Sequence, residues 1–296
     1  MHCNTYFTLY FLNPTSLAKP HAIQQLETDL TQHSVDICLI VETFFCNNHV
    51  DNYVSINRFN IFRRDRGFKK GGGLCAYIRD SIVCNRLNLK NCADAKIEIM
   101  WLQCIDGAVS YYIACCYFPP KPDYNSKDFV NALCLDLDDI VSQPGDFIIL
   151  VAGDFNQLDT SFLESDYGLI QLVSTATHGN NILDKVFTNR PDLYNACVLK
   201  SLIKTKHAAV LISNEPAKLC YTKRKTAELW DLRQHNIDRL RFAICSFDWH
   251  CVLNCDNVCD MYDRFLDVIT MLMRTCIPVR KVTLGIKEPS FHYPPH

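Results

Sequence analysis

No apolar run in the 296-residue chain approaches the roughly 18 residues that suggest a membrane span. The longest, such as Phe147–Val151 and Tyr111–Tyr117, stop well short. No internal repeat and no low-complexity tract is present. Neither sign of charge dominates: 30 Lys+Arg stand against 32 Asp+Glu, for a net charge of −2. The N-terminus has an apolar patch, Tyr6–Leu12, but no basic segment before it and no clear cleavage site, so it is not read as a signal peptide. With 48% hydrophobic and 21% charged residues, the composition excludes a mostly disordered, collagen-like or coiled-coil chain.

Cysteine is plentiful, at 17, but a disulfide framework does not follow. The count is odd, the chain is large enough to bury a core without staples, and Cys38, Cys75, Cys104, Cys115 and Cys116 lie inside apolar, strand-like segments. Buried free cysteine behaves as a small hydrophobe. An intracellular, reducing compartment is expected.

Short apolar runs alternate with turn signals from residue 9 to about 213. His21–His33 has helical spacing and Val35–Val41 follows at once. Gly72–Ile78, Ile97–Cys104, Val109–Tyr117, Phe147–Ala152, Leu183–Thr188, Ala196–Leu199 and Ala208–Ile212 read as strands. Several are apolar on both faces, as in sheets covered on both sides. Ser126–Val141 reads as a helix ending before Pro144 and Gly145. The pattern predicts a mixed α/β layered domain over 9–214, after a leader of residues 1–8. Residues 215–296 differ. They hold a basic run, Lys223–Lys225, and two amphipathic helices, Asn236–Cys245 and Asn257–Cys276, so a helical connector is expected there.

The sharpest chemical signal is Gly153-Asp154-Phe155-Asn156, where a buried strand ends in a carboxylate and a carboxamide two residues apart. If the strand continued, both side chains would point the same way. A carboxylate can orient or deprotonate water and an amide can hold a phosphate oxygen; a capped turn is the bland reading. Glu42 directly follows the run ending at Val41, and a carboxylate at a strand end suits a hard divalent cation. His207 precedes a strand, and Asp184 could fix its tautomer. Arg58–Lys70 carries six basic residues, among them Arg63, Arg64, Arg66, Lys69 and Lys70, against Asp65. This is either a solvated hairpin or a contact for a nucleic-acid backbone. His250, Cys251, Cys255 and Cys259 offer four zinc ligands, but at helical spacing.

Taken in order, Asn13, Glu42, Tyr117-Phe118-Pro119-Pro120, Gly153-Asp154-Phe155-Asn156, Leu183-Asp184 and His207 resemble the endonuclease/exonuclease/phosphatase superfamily. Asn13-Pro14-Thr15-Ser16-Leu17, Glu42-Thr43-Phe44, Phe62-Arg63-Arg64-Asp65-Arg66 with Gly71-Gly72-Gly73, and Asn181-Ile182-Leu183-Asp184 resemble the endonuclease domain of non-LTR (LINE-type) retrotransposon polyproteins. The resemblance implies a four-layer α/β sandwich of two mixed sheets flanked by helices, followed by a helical tail. It implies hydrolysis of a DNA phosphodiester with Mg²⁺ or Mn²⁺, leaving a 3′-hydroxyl primer, with no small-molecule cofactor and no membrane partner. Glu42 and Asn13 would lie at the metal. Asp154 would orient the attacking water, Asn156 would help hold the scissile phosphate, His207 backed by Asp184 would meet the developing charge, and Tyr117 would line the site. Nuclear action would follow from the substrate.

Residues 215–296 resemble the connector before the reverse transcriptase in such polyproteins, to which the domain would be covalently linked. No Tyr/Phe-x-Asp-Asp polymerase motif is present; Asp138-Asp139 lies in a helix-like segment. Where the family has Ser-Asp-His, this chain has Thr205-Lys206-His207. A cation in place of that carboxylate implies weaker metal binding, a depressed His207 pKa and a weakened or inactive copy. The other readings are a nucleic-acid-binding remnant of the same fold and a superfamily phosphatase or RNA phosphodiesterase.

Overall fold

The computed structural model describes residues 6–46, 48–67, 71–89, 96–214, 225–255 and 257–284. Contacts divide the chain into two units, Met1–Cys220 and Tyr221–His296.

In the first unit the elements run β1 (Leu9–Leu12), α1 (Ala22–Gln32), β2 (Ile37–Val41), α2 (Asp51–Val54), β3 (Phe59–Arg64), β4 (Leu74–Arg79), β5 (Val83–Leu87), β6 (Glu98–Asp106), β7 (Val109–Tyr117), α3 (Ser126–Val141), β8 (Phe147–Asp154), α4 (Ser161–Ser165), β9 (Ile170–Gln171), β10 (Asp184–Thr188), β11 (Asn195–Leu199) and β12 (Ala209–Ser213). Two six-stranded mixed sheets result, in the orders β11-β12-β1-β2-β4-β3 and β5-β6-β7-β8-β10-β9.

The two-faced apolar strands explain the layering. In β1, Leu9 and Phe11 enter the core between the sheets, where they join Leu39 of β2, Ile113 of β7 and Leu150 of β8. Tyr10 and Leu12 point the other way and pack with Leu26 and Leu30 of α1. In β7 and β8, Ala114 and Val151 face outward onto Phe129, Leu133, Leu137 and Ile140 of α3. Alternate side chains therefore fill three apolar layers, and the expected α/β/β/α sandwich follows. Asn125 caps α3, its Oδ1 accepting from the Lys127 N–H at 2.9 Å. Packing begins before Leu9: Phe7 is in the inter-sheet core, and the Thr8 carbonyl accepts from the N–H groups of Asp36 and Ile37. All described cysteines are free. No described helix is long and apolar enough to cross a membrane.

The second unit contains β13 (Lys225–Trp230), α5 (Gln234–Ser246), α6 (His250–Leu253), α7 (Val258–Cys276) and β14 (Val279–Leu284), with β13 and β14 paired antiparallel. The helices match expectation, and the two-stranded ribbon joining the unit's ends is an addition to it. Asp231 anchors the ribbon's end, accepting from Arg233 at 2.5 Å and Arg280 at 3.3 Å. The apolar stripe expected to bury α7 is only partly covered. Leu272 and Cys276 are buried, whereas Val258, Tyr262 and Phe265 are exposed. The zinc reading is not met: among the described residues, the group whose ligand atoms lie in mutual reach is Asp154, Asp184 and His207. Cys255 instead directs its thiol at the Cys251 carbonyl, 3.9 Å away.

Candidate active site

Strand register assembles the site. β7 and β8 run parallel with Tyr117 beside Asp154, and β10 runs antiparallel to β8 with Asp184 beside Asp154. On the other flank Glu98 of β6 lies beside Tyr117. Gly153 permits this: a Cβ there would sit 2.6 Å from the Cys116 carbonyl oxygen. In the facing sheet β1 and β2 are parallel, so Asn13 and Glu42 leave the sandwich at one end. His207 arrives there on the loop between β11 and β12.

Hydrogen bonds join these groups. Asn13, fully buried, donates Nδ2 to Glu42 Oε1 at 3.0 Å and to Asp154 Oδ2 at 2.9 Å. Tyr117 donates its hydroxyl to Glu42 Oε1 at 2.6 Å. His207 Nδ1 lies 2.8 Å from Asp184 Oδ2, and its Nε2 lies 3.9 Å from Asp154 Oδ2. The Asn156 N–H donates to Asp154 Oδ1 at 3.1 Å. Glu42 and Asn156 both adopt left-handed backbone, with φ of 53° and 46°. Such conformations cost about 1–3 kcal/mol and persist where surrounding contacts over-determine them.

The charges are interdependent. Burial first, then the neighbouring Asp184 carboxylate, raises the Asp154 pKa to about 6, against the opposing pull of His207 and Asn13. Burial alone would lower the His207 pKa, but the hydrogen bond and charge of Asp184, with Asp154 and Glu42 behind, raise it overall. Burial and Glu42 raise the Tyr117 pKa, so its hydroxyl remains a donor. Asp184 Oδ1 is buried with no hydrogen-bond partner, an uncompensated acceptor that a cation would satisfy.

Seven expected residues thus come together: Asn13, Glu42, Tyr117, Asp154, Asn156, Asp184 and His207. Two have different parts from those expected. Asn13 turns its amide N–H groups, not its oxygen, toward the carboxylates, and its Oδ1 accepts from the Thr15 N–H at 2.9 Å. It thereby bridges Glu42 and Asp154. Strand geometry stops at Asp154, so Asn156 does not repeat its direction, and Asn156 Nδ2 donates to the Phe118 carbonyl at 2.8 Å.

The arginines are committed to the fold. Arg63, with a side chain 14% exposed, binds Asp51 at 2.6 Å and Asp65 at 2.5 Å. Arg64 donates to the Ile99 carbonyl. Arg66 pairs with buried Glu98 and lies over the Tyr117 ring, 5.6 Å from its centroid. All three are partly exposed, and each also holds a partner within the fold. The Arg66 guanidinium lies against Gly72, the Gly73 N–H also meets Glu98, and a Cβ on Gly73 would lie 2.6 Å from Thr43 Oγ1. Lys69 and Lys70 lie outside the described residues.

Lys206 is exposed, and the His207 pKa is raised rather than depressed, with Asp184 the main cause of the rise. Spacing did not reveal His178, whose ring packs against His207 with centroids 4.6 Å apart and planes tilted by 48°, across an isolated β-bridge. Nor did it reveal buried Thr177, whose Oγ1 accepts the N–H groups of Leu183 and Asp184 at 3.1 and 3.0 Å. Both depend on a loop folding back on the sheet, which no periodic pattern encodes.

An acid–imidazole cluster at one end of a two-sheet sandwich defines a class of phosphodiester-cleaving folds. The endonuclease/exonuclease/phosphatase family matches residues 1–202, and the chain belongs to that family. The match stops short of His207, which the structure nonetheless brings into the cluster. Among solved structures, the endonuclease domain of TRAS1, a telomere-specific non-LTR retrotransposon, has a TM-score of 0.54 at 14% identity, covering 72% of this chain and 100% of that one. A humanised TDP2 of D. rerio has 0.53 at 13% identity, covering 70% and 98%. The AP endonuclease LMAP from Leishmania major has 0.56 at 12% identity, covering 71% and 88%. At such identities the likeness is one of fold. No curated protein sequence matches the chain.

Proposed function

We propose that this chain is a divalent-metal-dependent DNA endonuclease of the retrotransposon type, hydrolysing a phosphodiester to leave a 3′-hydroxyl end. The observation that carries this reading is the Asp154–Asp184–His207 group, with ligand atoms within 4.8 Å of one another and Glu42 joined to it through Asn13. The fold shared with a retrotransposon endonuclease, an AP endonuclease and TDP2, one of whose structures holds a single-strand DNA product, supports the substrate class.

The donor set fits a hard cation. Carboxylate oxygens dominate, and Asp184 Oδ1 has no other partner. Glu42, Asp154 and Asp184 are the oxygens that would hold Mg²⁺ or Mn²⁺, which would supply charge neutralisation at the phosphate. Asp154, set between Asn13 and His207, is placed to accept a proton from the attacking water. Asp184 holds His207 by Nδ1, leaving Nε2 to donate toward negative charge developing on the phosphate. Asn13 keeps two carboxylates in register that would otherwise repel, and Tyr117 holds Glu42 against rotation.

Because Lys206 stays outside this network, we propose that the copy is active. The test is nicking of supercoiled plasmid with Mg²⁺ by the wild type, Asp154→Ala and Lys206→Asp. Cleavage by the wild type that Asp154→Ala removes is the expected result. An inert wild type revived by Lys206→Asp would mean a scaffold disabled at one position. Inertness of the wild type and Lys206→Asp with both Mg²⁺ and Mn²⁺ would defeat the endonuclease reading.

A further inference from the structure

Cys84 of β5 and Cys104 of β6 stand directly opposite each other in the antiparallel pairing of those strands. Residues opposite in such a pair share one face of the sheet and hold their Cα atoms about 4.5–5.5 Å apart. That separation falls inside the roughly 4.4–6.8 Å that a disulfide spans. Both side chains belong to the core between the sheets, Cys104 buried within it and Cys84 partly buried against it. The Cys84 thiol, at hydrogen-bonding range, is the first cause that pushes the Cys104 pKa up, ahead of burial. Other cysteines in neighbouring strands lack this register. Cys38 and Cys75 lie opposite Tyr77 and Ile40. Cys115 and Cys116 lie opposite Met100 and Ile99 on one side, and opposite Ala152 and Gly153 on the other.

The pair also sits where it can be reached and undone. β5 is the outermost strand of its sheet, bonded to β6 alone, and Val83 beside Cys84 is 62% exposed. Cys84 is therefore open to solvent along the sheet edge, whereas Cys104 is not. Opposite Cβ atoms in an antiparallel pair lie about 4.5–5.5 Å apart, wider than the ~3.8 Å of a relaxed disulfide. Closing the bond must draw the strands together, and a disulfide under such strain is readily reduced.

We propose that Cys84 and Cys104 are a reversible thiol-oxidation site, closed by a low-molecular-weight disulfide of the glutathione class, and that the bond pins edge strand β5 to β6. The Cys84 thiolate attacks one sulfur of oxidised glutathione and breaks its S–S bond. One glutathione thiolate leaves, and a mixed disulfide remains on Cys84. Cys104 then loses its proton to solvent and attacks the Cys84 sulfur, and the second glutathione thiolate leaves. Two cysteine thiols give up two electrons and two protons, and one oxidised glutathione becomes two glutathione thiols. Burial makes Cys104 a poor first nucleophile and assigns it the second step. The site is independent of the endonuclease reading.

The test treats the full chain with oxidised glutathione, blocks remaining thiols with N-ethylmaleimide and maps peptides by mass spectrometry without reduction. The expected product is a Cys84 peptide joined to a Cys104 peptide, two hydrogens lighter than the separate pair, which excess reduced glutathione reopens. In C104S, Cys84 should keep glutathione as a stable mixed disulfide. In C84S, Cys104 should stay a free thiol. C38S should form the same link as the wild type. Backbone amides of residues 83–87 should exchange about tenfold more slowly in the oxidised wild type than in the reduced one, and equally in both forms of C84S. No Cys84–Cys104 link in the wild type, or Cys84 joined as often to other cysteines, would overturn the site. Glutathione on Cys104 in C84S would overturn the order of attack, and unchanged amide exchange would overturn the pinning of β5. The wild-type map decides the pairing even where a variant fails to fold.

Discussion

Asp184 sets the charge of its neighbours. Its carboxylate raises the pKa of both Asp154 and His207. In Asp184→Asn the side-chain oxygen can still meet His207 Nδ1, but the charge is gone. The His207 pKa should then fall, read by NMR titration of its ring proton in EDTA, and the Asp154 pKa should fall with it. A histidine whose folded pKa is raised contributes stability below its unfolded value near 6.5, and loses that contribution as pH rises through the folded pKa. Asp184→Asn should therefore flatten the decline of Tm on the alkaline side of pH 6.5. Cleavage at pH 8 should drop at least about tenfold, because fewer molecules carry the protonated imidazole and one carboxylate that would hold the metal is lost. An unmoved His207 titration would show that Asp184 does not govern it.

At the scale of elements, two contacts hold the site's edges in place. Gly153→Ala drives a methyl into the Cys116 carbonyl of the neighbouring strand, with Cys116 Cβ at 2.7 Å and the Phe155 ring at 3.0 Å leaving little room to yield. Overpacking of this kind costs about 1–3 kcal/mol, or a Tm loss on the order of 5 °C for a domain of this size. Thermal unfolding checks it, and an unchanged Tm would mean that β7 and β8 can separate freely. Arg66→Ala leaves Glu98 buried and unpaired, and removing one partner of such a pair costs about 3–5 kcal/mol. It should lower the Tm more than Gly153→Ala does and release the Tyr117 ring, while leaving the salt dependence of DNA binding as in the wild type. A changed salt slope in Arg66→Ala would return this arginine to the DNA surface. The motif Arg63-Arg64-Asp65-Arg66 with its glycines is legible as a motif in the sequence. Its part is not, because Glu98 lies 32 residues from Arg66 and reaches it only through the packing of β3, β4 and β6.

At the scale of the molecule, every residue of the cluster lies within Met1–Cys220. A fragment of residues 1–220 should fold cooperatively and nick plasmid at a rate close to that of the full chain. A fragment that folds but does not cut would assign the second unit a part in the reaction. Within that unit the helices were legible from their 3.6-residue spacing, whereas the β13–β14 ribbon was not. Its strands are separated by all three helices, and sequence spacing carries no record of such a partner.

By itself the sequence determined eight of the first unit's twelve strands and its two longest helices, since strands apolar on both faces can be stable only between two covers, while β1, β3, β5 and β9 were not marked by it. It also determined which residue types stand at strand ends, with Glu42, Asp154, Asp184 and His207 among them. Tertiary structure alone decided how they meet. The register of β8 with β10 sets Asp184 beside Asp154, the parallel pairing of β1 with β2 turns Asn13 and Glu42 to the same end, and a loop pinned by Asp29 directs Lys206 outward rather than into the cluster. The physical reason is range. Periodicity reports which face of a segment is buried, while charge states and hydrogen-bond partners depend on segments tens to more than a hundred residues away.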